Sequence, residues 1–127
     1  MGPAGASIPP GAKKLEIEYK TIASDIYEVR LSGELGMGSV LSLDRVFKKI
    51  FEEKIFKIVV NLEATHYIAS SGIGVFLATT EAARKNGGEV FLAGATPRVR
   101  HVFELMGLTG TLNFSPSVKD AVKSFKK

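Results

Sequence analysis

Between Ile55 and Leu62 the chain reads Ile-Phe-Lys-Ile-Val-Val-Asn-Leu, a short and almost continuously apolar run rich in β-branched residues. Such a run is far shorter than the roughly 20 residues of a membrane span. It also lacks the polar alternation of a half-exposed strand, so it reads as a strand covered on both faces. A strand of that kind needs further layers of structure above and below it. The flanking sequence supplies them. Glu63 to Ala69 forms a polar connection, after which Ser70-Ser71-Gly72 opens a helical stripe of Ile73, Phe76, Leu77, Thr80 and Ala83. Asn86-Gly87-Gly88 ends that helix with residues that tolerate positive φ.

Upstream, Leu15, Ile17 and Tyr19 alternate with charged residues, and so do Tyr27, Val29 and Leu31; both segments read as half-buried strands. Gly33 to Gly38 breaks the alternation, and Ser39 is the expected N-cap of a helix whose stripe is Val40, Leu43, Val46, Phe47, Ile50 and Phe51. Downstream, Glu89 to Ala95 is a strand. Thr96-Pro97 caps a helix with Val99, Val102, Phe103 and Met106 on its stripe. Thr111 to Phe114 is a brief strand, and Ser115-Pro116 repeats the cap before Val118, Ala121, Val122 and Phe125. The order β-β-α-β-α-β-α-β-α predicts an α/β fold with a mixed, mostly parallel sheet that opens with an antiparallel pair.

At 127 residues the chain suits one domain. The Pro-, Gly- and Ala-rich residues 1–12 are expected to be a flexible tail, and 13–127 the single folded domain. The absence of Cys excludes a disulfide framework, a thiolate metal site and a Cys nucleophile, and the His residues stand too far apart to suggest a metal cluster. The net charge of +4 arises mainly at the chain ends and not on one groove-facing element, so nucleic acid is not an expected partner. No membrane association and a cytoplasmic location are expected.

The Ser70-Ser71-Gly72-Ile73-Gly74 junction sits where a strand hands over to a helix, whose first N–H groups have no backbone partners. It is not a phosphate-binding loop, because the P-loop lysine and the G-x-G-x-x-G spacing are absent. It also lacks the nucleophile-elbow spacing, and His66 has no orienting acid in an obvious place; no catalytic residue is assigned. A capping serine is one reading, for which one of the two hydroxyls suffices. The other is a serine modified by another protein, since a helix N-terminus tolerates a phosphate well. Glycines at 36, 38, 72 and 74 keep the neighbourhood open to a protein partner.

Taken together, Gly33-Glu-Leu35, Ile58-Val-Val-Asn-Leu62, Ser70-Ser-Gly-Ile-Gly74, Asn86-Gly-Gly88 and Pro97-Arg-Val-Arg-His-Val-Phe-Glu-Leu-Met-Gly-Leu108 resemble, in order, the motifs of STAS domains. The resemblance covers about residues 13 to 125 and points to the small anti-sigma-factor antagonists of bacteria. It implies helices packed mainly on one face of the sheet. The implied partner is an anti-sigma factor with serine kinase activity, with a phosphatase reversing the modification and ATP belonging to the kinase, so that the chain needs no cofactor. It further implies that Ser70 is phosphorylated, with Ser71 as second choice. Gly36, Met37, Ser39, Ala69, Ser70, Ser71, Gly72 and Ile73 would contact the partner, Met37 and Ile73 as apolar contacts and Ser71 as the cap. A monomer or weak dimer is expected.

Two positions depart from the pattern. Ala69 stands where the family carries Asp before the serine, and Gly36 stands where Asp follows Gly-x-Leu. Both changes remove carboxylates from beside the hydroxyl. They keep a second reading open: an unphosphorylated STAS scaffold, or a small subunit supporting a transport ATPase.

Overall fold

The computed structural model describes residues 14–126, so the segment expected to be a tail lies outside the described residues. Strands β1 (Glu16–Ala23), β2 (Ile26–Leu35), β3 (Lys57–Ile68), β4 (Glu89–Ala93) and β5 (Asn113–Ser115) lie in that spatial order in one sheet. β1 is antiparallel to β2, and every later pair is parallel. Helices α1 (Val40–Glu52), α2 (Ser70–Lys85) and α3 (Pro97–Leu105) form the parallel crossovers, and α4 (Val118–Phe125) follows the last strand. Because the crossovers all step the same way across the sheet, a single handedness puts α1, α2 and α3 on one face.

The core follows from that arrangement. Leu43, Phe47 and Ile50 of α1, Ile73 and Phe76 of α2, and Val99 and Phe103 of α3 pack on Val29, Leu31, Ile58, Val60 and Leu92. On the other face Ala121 of α4, flanked by Val118, Val122 and Phe125, covers Ile26, Val59 and Ala93. Ile58, Val59 and Val60 are all fully buried, so β3 is covered on both sides as its composition requires. Ring pairs Phe47–Phe76 at 6.3 Å, Phe76–Phe103 at 6.2 Å and Phe103–Phe114 at 5.2 Å tie the three helices to the far strand. Each such pair adds about 0.5–1.5 kcal/mol beyond its buried area.

Several boundaries differ from the sequence expectation. β3 continues through the polar segment to Ile68, because Ala64, Thr65, Tyr67 and Ile68 pair with Ser32 to Leu35 of β2. Thr65 is buried, and its hydroxyl donates to the Leu31 carbonyl at 2.8 Å, so a polar residue serves an interior position here. Gly33, at φ +109°, sits within that irregular pairing, and a Cβ there would lie 2.5 Å from the Lys14 carbonyl oxygen. Ser39 occupies the N-cap position of α1 as expected, but it also ends a tight turn, Met37–Ser39, and its side chain accepts no capping hydrogen bond. Met106 lies past the end of α3 and is 47% exposed, so it does not belong to the core stripe. β5 runs two residues later than expected at its start, and Ser117, not Ser115, caps α4 by accepting from the Asp120 amide. Thr96 caps α3 as its sequence indicates.

Candidate functional site

β4 stops at Ala93, opposite Asn61 of β3, whereas β2 and β3 run on together to Leu35 and Ile68. The two strands therefore extend beyond β4 as a pair, and the segments that follow them meet at its end. The Ala69 amide donates to the Leu35 carbonyl at 2.8 Å, which holds the start of α2 against the end of β2. On the β2 side, Gly36 leads into the Met37–Ser39 turn, closed by the Ser39 amide donating to the Gly36 carbonyl at 3.0 Å. Residues distant in sequence, 36–39 and 69–73, are thus neighbours through strand pairing alone.

The orientation of each residue follows from helix geometry. Ala69 is extended at φ −78°, ψ 156° and occupies the N-cap position, so α2 begins at Ser70. Ala69 has no side-chain oxygen, and neither serine caps the helix: the expectation that Ser71 serves as the cap is not met. Both serines are exposed, while Gly72 and Ile73 are buried. Ile73 is a core residue and offers no surface for a partner contact. Gly72 is required by packing, since a Cβ would lie 2.5 Å from Leu35 Cδ2. It is this close approach that seats the helix on β2 and turns the two hydroxyls outward.

Met37 is 83% exposed, and Leu41, one turn further on at the start of α1, is 67% exposed. Leu41 falls off the Val40-Leu43-Phe47 stripe, and that offset was the available sequence signal for its exposure. A Cβ at Gly36, Gly38 or Gly74 would meet nothing within 4 Å, so these glycines border open space. Ser39 is half-buried within the turn.

No acidic residue occupies the first turn of α1 or α2. The positive ends of both helix dipoles therefore have no carboxylate in their own first turns to offset them. Such a surface can present a hydroxyl and tolerate a negative group placed on it. His66 is exposed within β3, on the strand that leads to the two serines. Among the described residues, no group of three His, Asp or Glu side chains is placed to hold a metal ion, and no helix is long and apolar enough to cross a membrane.

Comparison with known proteins agrees with this architecture. The family model described as the STAS domain matches residues 17–121. An anti-sigma-B factor antagonist of Staphylococcus aureus is 33% identical over 95 residues, which span 74% of this chain and 88% of that protein. An anti-sigma factor antagonist from Mycobacterium paratuberculosis superposes with a TM-score of 0.81 at 22% identity, covering 90% of this chain and 96% of that one. The Bacillus protein SpoIIAA in its phosphorylated form superposes with a TM-score of 0.70 at 23% identity, covering 87% and 99%. At these identities the two structures speak to the fold alone.

Proposed function

The chain belongs to the STAS domain family, and from that premise we propose that it is an anti-sigma-factor antagonist whose partner is a serine-kinase anti-sigma factor. The observation that carries the reading is the exposure of Ser70 at the first position of α2, beside an exposed Met37 and the open space at Gly36 and Gly38. In this reading the chain acts by binding in the cytoplasm and catalyses nothing itself. Unmodified, it occupies the anti-sigma factor through the 36–39 turn and the start of α2, and so releases the sigma factor for transcription.

The kinase then ends the interaction. The Ser70 hydroxyl oxygen attacks the terminal phosphorus of ATP bound to the kinase; the hydroxyl proton passes to a base of the kinase, and ADP leaves. The phosphate adds roughly −1.5 to −2 charges at neutral pH. The fold accepts that charge at a helix start, whereas a partner surface fitted to a neutral hydroxyl does not. A phosphatase restores the first state by hydrolysis.

Ala69 and Gly36 favour a second reading, an unphosphorylated STAS scaffold or transporter subunit, because no carboxylate is left beside the hydroxyl to orient it. Incubation with the recombinant serine-kinase anti-sigma factor of the source organism and ATP, followed by phosphopeptide mass spectrometry, separates the two. A single phosphate on Ser70, lost in Ser70→Ala, supports the switch. Stable binding with no phosphate supports the scaffold.

A further inference from the structure

The sheet has two edges of different character. β5 is only Asn113–Ser115, too short to recruit another strand. β1 is eight residues long, Glu16–Ala23, and among the described residues only β2 pairs with it. Among the described residues, its outer edge therefore presents a row of backbone N–H and C=O groups with no strand beside them. Charged side chains along such an edge normally repel an incoming strand. Here they are also arranged in a way that matches a second copy.

We infer that β1 pairs antiparallel with β1 of a second copy of this chain, about a two-fold axis at Tyr19, forming a weak dimer with one continuous sheet. In that register Glu18 lies opposite Lys20 of the partner subunit and Lys20 lies opposite the partner's Glu18, both pairs on the sheet face away from α1 and α2. On the other face Tyr19 meets the partner's Tyr19, and Ile17 meets the partner's Thr21. Directly opposed residues in an antiparallel pair share a face, so the match is geometrically consistent. Neighbouring registers are worse. Centring on Glu18 keeps two Glu–Lys pairs, through Glu16 and Lys20, but sets Glu18 against the partner's Glu18. Centring on Lys20 opposes two ammonium groups and forms no Glu–Lys pair. A slip of one residue puts apolar side chains opposite charged ones, which the Tyr19 register does only at Glu16, beside the irregularity at Thr21–Ala23.

The apolar side points the same way. Ile17 packs against the main core, and the Tyr19 ring lies 6.1 Å from Tyr27, yet Tyr19 remains 38% exposed. A second strand alongside would cover it. Edge-to-edge pairing of single strands buries little area, which sets the association as concentration-dependent and salt-sensitive. This surface is separate from the Ser70 junction and does not depend on the proposed function.

Sedimentation equilibrium of the full chain across a micromolar-to-millimolar range at low salt tests the inference. The dimer fraction is expected to rise with concentration. Glu18→Lys and Lys20→Glu should each be monomeric, because each opposes like charges in the pairing, while the double variant Glu18→Lys/Lys20→Glu should dimerise again. Amide exchange along Glu16–Ala23 should slow with concentration in the wild type and the double variant only. A wild type that stays monomeric, single variants that still dimerise, or a double variant no better than the singles would each overturn it.

Discussion

The two ends of the β2–β3 strand pair are built on opposite principles. At the amino ends, polar groups find partners within the chain: the Tyr27 hydroxyl donates to Glu53 at 2.9 Å, and Lys57 donates to Asp25 at 2.9 Å. Backbones also crowd there, since a Cβ on Gly88 would lie 1.9 Å from the Phe56 carbonyl oxygen. At the carboxyl ends the serines make no capping bond, the glycines at 36, 38 and 74 border open space, and Met37 and Leu41 stand out from the surface. The same two strands thus close one end of the domain with its own side chains and leave the other unfilled. A recognition surface needs the second condition, and a rigid scaffold beneath it needs the first.

Substitutions at each end test this contrast. The largest effect is expected from Gly88→Ala at the closed end, where the clash is with backbone and cannot be relieved by a rotamer change. It should cost about 3 kcal/mol, the upper part of the usual overpacking range, read as a lower denaturant midpoint. A loss near zero would show that this end is not closed as described. At the open end, Gly74→Ala should instead raise stability by roughly 0.5–1 kcal/mol, because the new methyl meets nothing and alanine is the better helix former.

Ionisation gives a smaller handle. The hydrogen bond to Glu53 raises the Tyr27 pKa above its ordinary value of 10.0. The folded state thereby favours the protonated phenol, so this contribution is complete below pH 10 and fades as pH rises through the higher folded value. Tyr27→Phe should remove that alkaline slope in a pH series of melts. The smallest effect belongs to Asp25, whose pKa is lowered from 3.8 chiefly by the hydrogen bond from Lys57. Its contribution is present above pH 3.8 and lost as pH falls through the lower folded value. Asp25→Asn should change neutral-pH melting barely at all, because the pair is exposed.

The contrast between the ends also marks what the sequence made legible. Element order, parallel pairing and the buried character of β3 were readable because Ile58, Val59 and Val60 are apolar on both faces. The Ser70 junction was readable because the helical stripe beginning at Ile73 dates the handover from strand to helix. The β3 extension was not readable. Thr65 satisfies its hydroxyl on a carbonyl of the neighbouring strand, which no local pattern announces. Two caps were misplaced, Ser71 where Ala69 holds the position and Ser115 where Ser117 does, since tertiary packing decides which residue reaches the cap position. Ile73 carried two readings, first residue of the helical stripe and apolar contact for a partner, and its complete burial keeps the first.

In the proposed function Ser70, at the open end, serves recognition and not folding. Ser70→Asp and wild-type chains should be melted side by side and titrated against the recombinant serine-kinase anti-sigma factor. Melting curves within about 0.5 kcal/mol of each other are expected, as for an exposed site without structural bonds, with an affinity at least tenfold weaker for the aspartate form. Equal affinity for both forms, or a large loss of stability without a change in binding, would contradict that role.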